Sequence, residues 1–330
     1  MFLVHSSQYH QPQQITPLLL NHKISLSDAK SSDKSYSSGS LVLDKALGTQ
    51  GYTVTRMVEI SGHTGAGKST LALHAVAACQ VSGGTAAFLD AEHALDLSYA
   101  MKVGVDTASL IFSQPKTAEQ AFSTALVLIQ SGLVDIIVID SIAALLPMNH
   151  QNKSLFHDGE NALEHSRVLA NGFTTIRAAL KSSSCTVIFT NQLRQKPNNS
   201  GKEAFESVGG RPVLNMMATR IRLKKSYDIL RNNSLIGHHC KIKVLKHKDG
   251  VEGASVTLPL IFNKGMALTH ETLKYCSENG YLKQDSSGAI FVRGRYLGPS
   301  ISQVVTYLDQ HPKLRNSLNR RLLSISSRRF

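Results

Sequence analysis

The sequence has no tryptophan, and its 330 residues carry only four cysteines. Cys79, Cys185, Cys240 and Cys276 are widely separated and form no C-x-x-C pair. A disulfide framework and a zinc site are therefore not expected, and buried reduced thiols are. The 14 histidines do not supply a metal centre either, because His238-His239 has no partner at helical ligand spacing. Long hydrophobic runs are missing. Stretches such as Ile136 to Ile139 are strand-length, so no membrane span is expected. The opening "MFLVHSSQYHQPQQ" lacks a basic region before an apolar one, which argues against a secretory leader and for a cytoplasmic location. Acidic residues are scarce: 23 Asp and Glu face 36 Lys and Arg, for a net charge of +13. That balance excludes few functions but favours polyanionic partners. Much of the excess lies in the second half, in "TRIRLKK", "KIKVLKHK" and "NRRLLSISSRRF".

What is present is a globular composition, 42% hydrophobic with a mean hydropathy of −0.09. Residues 1–37 are rich in Ser, Gln and His and read as a flexible segment. Ser40 is placed to cap a short helix ending near Gly48. From there strands and helices alternate. "RMVEIS", "TAAFLD", "SLIFSQ", "VDIIVID" and "CTVIFTNQ" read as strands, and helices are expected over 68–81, 95–103, 117–131 and 160–181. The fold class that follows is α/β, with a mainly parallel sheet flanked by helices. "TRIRLKK", "CKIKVLK" and "ASVTLPL" alternate and are expected as antiparallel edge strands. Residues 38–268 then form the core, and 269–330 form a small C-terminal domain of helix, hairpin and helix with a basic tail. Two stretches, 148–162 and 193–210, resist assignment. Both follow C-terminal ends of core strands, where α/β sheets place ligands.

Gly62-His63-Thr64-Gly65-Ala66-Gly67-Lys68-Ser69, followed by Thr70, matches G-x-x-x-x-G-K-[ST] between a strand and a helix. Such a loop turns backbone N–H groups and a helix N-terminus onto phosphate. Lys68 is expected to reach the β- and γ-phosphates, and Ser69 to hold Mg²⁺. Asp140, ending "DIIVID", is the expected magnesium carboxylate. Hydrolysis needs a group that activates water. Glu92 in "FLDAEHALD" follows a core strand, expected beside the nucleotide strand, with Asp90 and Asp96 as competitors. Asn191-Gln192 ends a buried strand; Gln192 could report the γ-phosphate, although such polar pairs more often start turns.

In this order "SSGSLVLDKALG", "VEISGHTGAGKST", "AFLDAEHALD", "KVGVD", "FSQPKTAEQA", "SGLVDIIVIDSIAALLP", "FTNQLR" and Gly209-Gly210 resemble the bacterial RecA recombinase family, from about Ser38 to Gln310. The resemblance implies a RecA-like P-loop core that uses ATP and Mg²⁺, binds single- and double-stranded DNA and assembles into a filament. It implies Glu92 as the catalytic carboxylate and Gln192 as the γ-phosphate sensor. Asp96 and Tyr99 match adenine-holding positions, and Arg167 and Arg194 match DNA-binding ones. Lys246 and Lys248 match a pair that reaches a neighbouring subunit's ATP. The unassigned stretches become DNA loops, where Lys153, Arg194, Lys196 and Lys202 can meet phosphates. Phe156 and Phe205 are candidates to stack on bases, though loop anchoring is the commoner role.

Three departures stand out. Residues 1–36 show no clear polymerising strand. Arg211 to Met216 replaces the family's N-A-L-K-F-Y. The chain ends in a basic rather than an acidic stretch. The resulting expectation is DNA-dependent ATP hydrolysis serving strand exchange. A rival is an ATP-regulated DNA-binding paralogue without strand exchange, and a P-loop kinase is a more distant one.

Overall fold

The computed structural model describes residues 34–150, 158–196 and 204–326, all within one compact unit. Residues 1–33 of the expected flexible segment 1–37, together with Lys153, Phe156 and Lys202, lie outside the described residues, while Ser35 and Tyr36 of that segment form a strand. A two-stranded ribbon, β1 (Ser35–Tyr36) and β2 (Tyr52–Thr53), brackets the helix α1 (Leu41–Leu47). The expected cap is present: Ser40 Oγ accepts from Leu43 N, and Gly48 closes the helix at φ 77°. Gly48 needs that left-handed geometry, which glycine adopts without a Cβ clash.

The centre is a ten-stranded sheet. Its parallel part contains β3 (Met57–Gly62), β4 (Ala86–Asp90), β5 (Ile111–Ser113), β6 (Ile136–Asp140) and β7 (Thr186–Lys196), in the order β3-β7-β6-β4-β5. Every residue of β3, β4 and β6 is buried, as a sheet covered on both faces requires. Alternate residues serve opposite faces. Ile136 and Val138 pack with Leu71, Ala75 and Val76 of α2 (Lys68–Val81). Ile137 and Ile139 pack with Phe122 of α4 (Ala118–Gln130) and Phe173 of α5 (Asp158–Leu180). The rings of Phe122, Phe173 and Phe189 stack edge to face, at 5.6 and 5.2 Å. Gly172 permits this: a Cβ there would lie 2.3 Å from the Phe122 ring. The short α3 (Leu97–Val103) starts two residues later than expected, because Asp96 caps it.

Beyond Gln192 the structure departs from the sequence reading. β7 continues to Lys196 and pairs antiparallel with β8 (Ala204–Ser207), so the described part of the second unassigned stretch is largely a β-arm. After α6 (Gly210–Met216), β9 (Thr219–Arg231) pairs antiparallel with the strand that follows it, as expected, but on its other side it lies parallel to β3 and so extends the core sheet. Its crossover through α6 returns the chain in the original direction. β10 (Ser234–His247), β11 (Ser255–Ile261) and β12 (Gly265–Met266) then add antiparallel.

The C-terminal residues form α7 (Leu268–Glu278), a three-stranded sheet of β13 (Leu282–Gln284), β14 (Ile290–Val292) and β15 (Arg295–Gly298), then α8 (Ile301–Gln310) and α9 (Pro312–Ser326). The strand β15 and the helix α9 were not anticipated. Leu322 and Leu323 of α9 are buried with Leu41, Tyr275, Cys276 and Val292.

Candidate nucleotide site

β3 ends at Gly62, and α2 starts at Lys68. Gly67 precedes the helix at φ 94° and provides no side-chain cap. The first amides of α2 are thus left for an anion, aided by the helix dipole. The positive φ at Gly67 favours glycine, and a Cβ would in addition sit 2.5 Å from Leu260 Cδ1. His63, Thr64 and Gly65 are exposed at the loop's rim, and Ala66 is buried beneath it. Lys68 Nζ donates to His63 O at 3.1 Å. The His63 ring meets Phe205 of β8 edge to face at 4.5 Å, which makes Phe205 an anchor of the β-arm on this loop.

Asp140 ends β6, level with Asp90 of β4. Thr190 Oγ1 donates to its carboxylate, and Ser69 hydrogen-bonds it as well. Burial raises the Asp140 carboxyl above the usual range, while the Ser69 and Thr190 bonds oppose that shift. Burial likewise lowers the Lys68 ammonium, and the charges of Asp140 and Glu92 oppose that. These two carboxylates therefore face the lysine of the phosphate loop. A hydroxyl and a carboxylate are hard oxygen donors, suited to Mg²⁺ that completes its shell with phosphate and water. No cluster of three or more His, Cys, Asp or Glu occurs among the described residues.

Glu92 follows β4, which is separated from β3 by β7 and β6 rather than lying beside it. The loop after β4 carries it across that distance. Ala91 N and Glu92 N both donate to Asp140 O, at 2.8 and 3.1 Å. Asp90, a competitor for the catalytic role, instead holds the loop: it accepts from Ala94 N, Leu95 N and Gln114 Nε2. Glu92 Oε1 accepts from the Ser141 hydroxyl, and from Gln192 Nε2 at 3.1 Å. Gln192 sits on β7 where that strand leaves the sheet for the β-arm, and Arg194, two residues on, is exposed.

A pocket of about 280 Å³ opens beside these groups, lined in part by Ser69, Glu92, Asp96, Tyr99, Asp140 and Asn263. Asp96 caps α3 through Ser98 N and Tyr99 N, and its bond with Ser98 lowers its carboxyl below the usual range. The Tyr99 hydroxyl pairs with Thr70 at 2.9 Å, so Thr70 is engaged with Tyr99 rather than open to the loop. Ser141, Thr190 and Asn263 escaped sequence reasoning. Asn263 stands in a turn at φ 63° and reaches the pocket only through the fold.

Other expected residues lie apart. Arg167 is exposed on α5, and Lys196 ends β7 with its side chain outside the described residues. Lys246 Nζ donates to Leu214 O, and Lys248 is exposed. Lys248 N bonds Ala218 O, and Ala218 N bonds Met57 O, at the start of β3. This pair is thus at the opposite end of β3 from its own phosphate loop.

Comparison with known proteins shows which family the chain resembles. The model of the RecA N-terminal domain matches residues 22–267. Protein RecA of Staphylococcus carnosus is 35% identical over 289 residues, covering 87% of this chain and 80% of that protein. Protein RecA of Mycoplasma mycoides is 35% identical over 286 residues, 86% of this chain and 82% of its own. That of Chloroherpeton thalassium is 37% identical over 283 residues, 86% and 78%. This chain is a divergent member of the RecA family.

Proposed function

We propose that the chain is a DNA-dependent ATPase that binds single-stranded DNA, pairs it with homologous duplex and exchanges strands. Family membership supports recombinase function over a paralogue without strand exchange. The observation that carries the chemical reading is the Gln192–Glu92 hydrogen bond, which joins the β-arm to a carboxylate facing the phosphate loop. The helix α2 amides and Lys68 hold the phosphates. Glu92 orients and deprotonates the attacking water. Ser141 and Gln192 both bind Oε1, which leaves Oε2 for that water. Mg²⁺, held through Ser69 and Asp140, would neutralise phosphate charge when bound. Asp96 and Tyr99 border the adenine side.

Gln192 is the switch in this reading. A terminal phosphate competes with Glu92 for its amide, and moving that amide shifts the strand that carries Arg194. Nucleotide state thereby alters the grip on DNA, which Arg194, Lys196, Lys202 and Arg167 supply by phosphate contacts. Lys246 and Lys248, remote from their own loop, serve the nucleotide of a neighbouring copy in a filament.

The test is purified protein with ATP, single-stranded circles and homologous linear duplex. Joint molecules formed without a helper protein are expected, along with ATP turnover stimulated by single strands. Turnover without joint molecules would leave the ATPase and remove the recombinase.

A further inference from the structure

A second cavity, of about 330 Å³, lies in the C-terminal part, remote in sequence from every residue assigned above. It opens between the β14–β15 turn and the helices α8 and α9. Val292 and Leu308, both buried, form its floor, and the half-buried Leu297, Leu314 and Leu318 form its walls. Its rim is cationic: Arg293, Arg295 and Arg321 line it and are exposed, and no acidic residue among the described residues lines it. The nearby Arg315 differs, because it faces Asp309 and donates to Thr269 Oγ1.

The turn that presents two of these arginines is costly. Arg293 and Gly294 are the two residues between β14 and β15, and both have positive φ, 54° and 79°. Such a hairpin turn favours Asn-Gly, because a Cβ is strained at positive φ and the short Asn side chain offsets that by local hydrogen bonding. Arg293 is held in place by its N–H to Tyr281 O at 2.8 Å, and its guanidinium lies 5.9 Å from the Tyr281 ring centre. The fold keeps an arginine where another residue would cost less, at the mouth of an apolar cavity.

We propose that this cavity is a docking site for an acidic peptide segment of a partner protein, with a large apolar side chain next to its carboxylates. The apolar side chain enters between Leu297, Leu314 and Leu318, where desolvation drives binding. The carboxylates meet the guanidinium rim, where arginine offers paired N–H donors in a planar fork. A nucleic-acid backbone satisfies only half of this chemistry. It would use the arginines, but it has no apolar group to fill a leucine-walled cavity. The ligand class therefore follows from floor and rim together, with charge complementarity choosing the sign. This site does not depend on the nucleotide reading.

The test uses the full chain and a fluorescein-labelled peptide, a run of aspartates followed by Leu-Phe with a free carboxylate. Saturable binding is expected. Arg295→Glu and Arg321→Glu should each weaken it about tenfold or more, with DNA-stimulated ATP turnover unchanged. A peptide with Gly-Ser in place of Leu-Phe should bind at least about tenfold more weakly. Leu318→Glu should abolish binding, and the two rim variants keep the test valid if that protein does not fold. Three results would overturn the proposal. One is no binding of the labelled peptide. Another is equal binding of the Gly-Ser peptide, which would mean a simple polyanion effect. The third is displacement by duplex DNA whose own affinity falls with the same rim substitutions, which would make the cavity a DNA site.

Discussion

At the scale of single residues, a buried charge beneath the phosphate loop does much of the positioning. Glu59 of β3 is fully buried. It accepts from Asn191 Nδ2 at 2.8 Å and from Arg220 Nε at 2.6 Å, while Asn191 also donates to Val208 O. Three strands and the return of the β-arm thus meet at one carboxylate. Removing one partner of such a pair leaves an uncompensated charge in low dielectric. Arg220→Ala should therefore lower unfolding free energy by about 3–5 kcal/mol, read from the urea midpoint. An unchanged midpoint would mean that water already solvates Glu59. Local chemistry was legible in the sequence where neighbours along the chain suffice. The loop from Gly62 to Ser69, the Ser40 cap and the Asp140 strand end all need only short spacings. Glu92 was named, but not how it is held. Its partners Ser141 and Gln192 are 49 and 100 residues away, and no spacing rule reports such contacts. Asn191 read as half of a turn-starting pair, yet it is buried in the Glu59 network.

At the scale of elements, α7 is tied to α1 by a buried carboxylate. Glu271 accepts from Val42 N at 2.6 Å and from the Ser40 hydroxyl at 3.0 Å. Burial pushes its carboxyl up to about 8, and burial pushes Asp44 of α1 up to about 7. Both groups hold protons in the folded chain that they lose when unfolded at neutral pH. Their stabilisation is complete below the ordinary carboxylate range and is lost as pH rises through about 7 to 8. The melting temperature should therefore fall across that window, and Glu271→Gln should flatten the fall, since its amide oxygen can still accept from Val42 N. An unaltered pH profile in the variant would contradict the shift. The helix α9 shows why this region was harder to read. Its apolar residues Leu314, Leu318 and Leu322 recur every four positions, but among Ser, Asn and Arg they looked like a basic tail. Because Leu322 and Leu323 are core residues, deleting 319–330 to test the basic end would strip the packing of α1 and α7. Removing 327–330 alone leaves Leu322 and Leu323 in place.

At the scale of the whole molecule, strand alternation gave the parallel sheet but not its order or the parallel pairing of β9 with β3. Alternation fixes which strands exist, while crossovers fix who neighbours whom. That order has functional weight. It puts Lys246 and Lys248 at one end of the sheet and the phosphate loop at the other, so their proposed service to ATP requires a second copy. Lys248→Ala should cut DNA-stimulated turnover about tenfold or more while leaving nucleotide affinity of the free protein unchanged. Equal loss in both would point to a role within one chain. The central claim is that the carboxylate opposite the phosphate loop both drives hydrolysis and lets nucleotide state govern the hold on DNA. The most direct measurement is single-strand-stimulated ATP turnover by Glu92→Gln, taken together with its DNA affinity in ATP. Turnover should fall about a hundredfold or more, with the DNA retained tightly because the ATP state persists. Turnover at the level of the unaltered chain would contradict the claim.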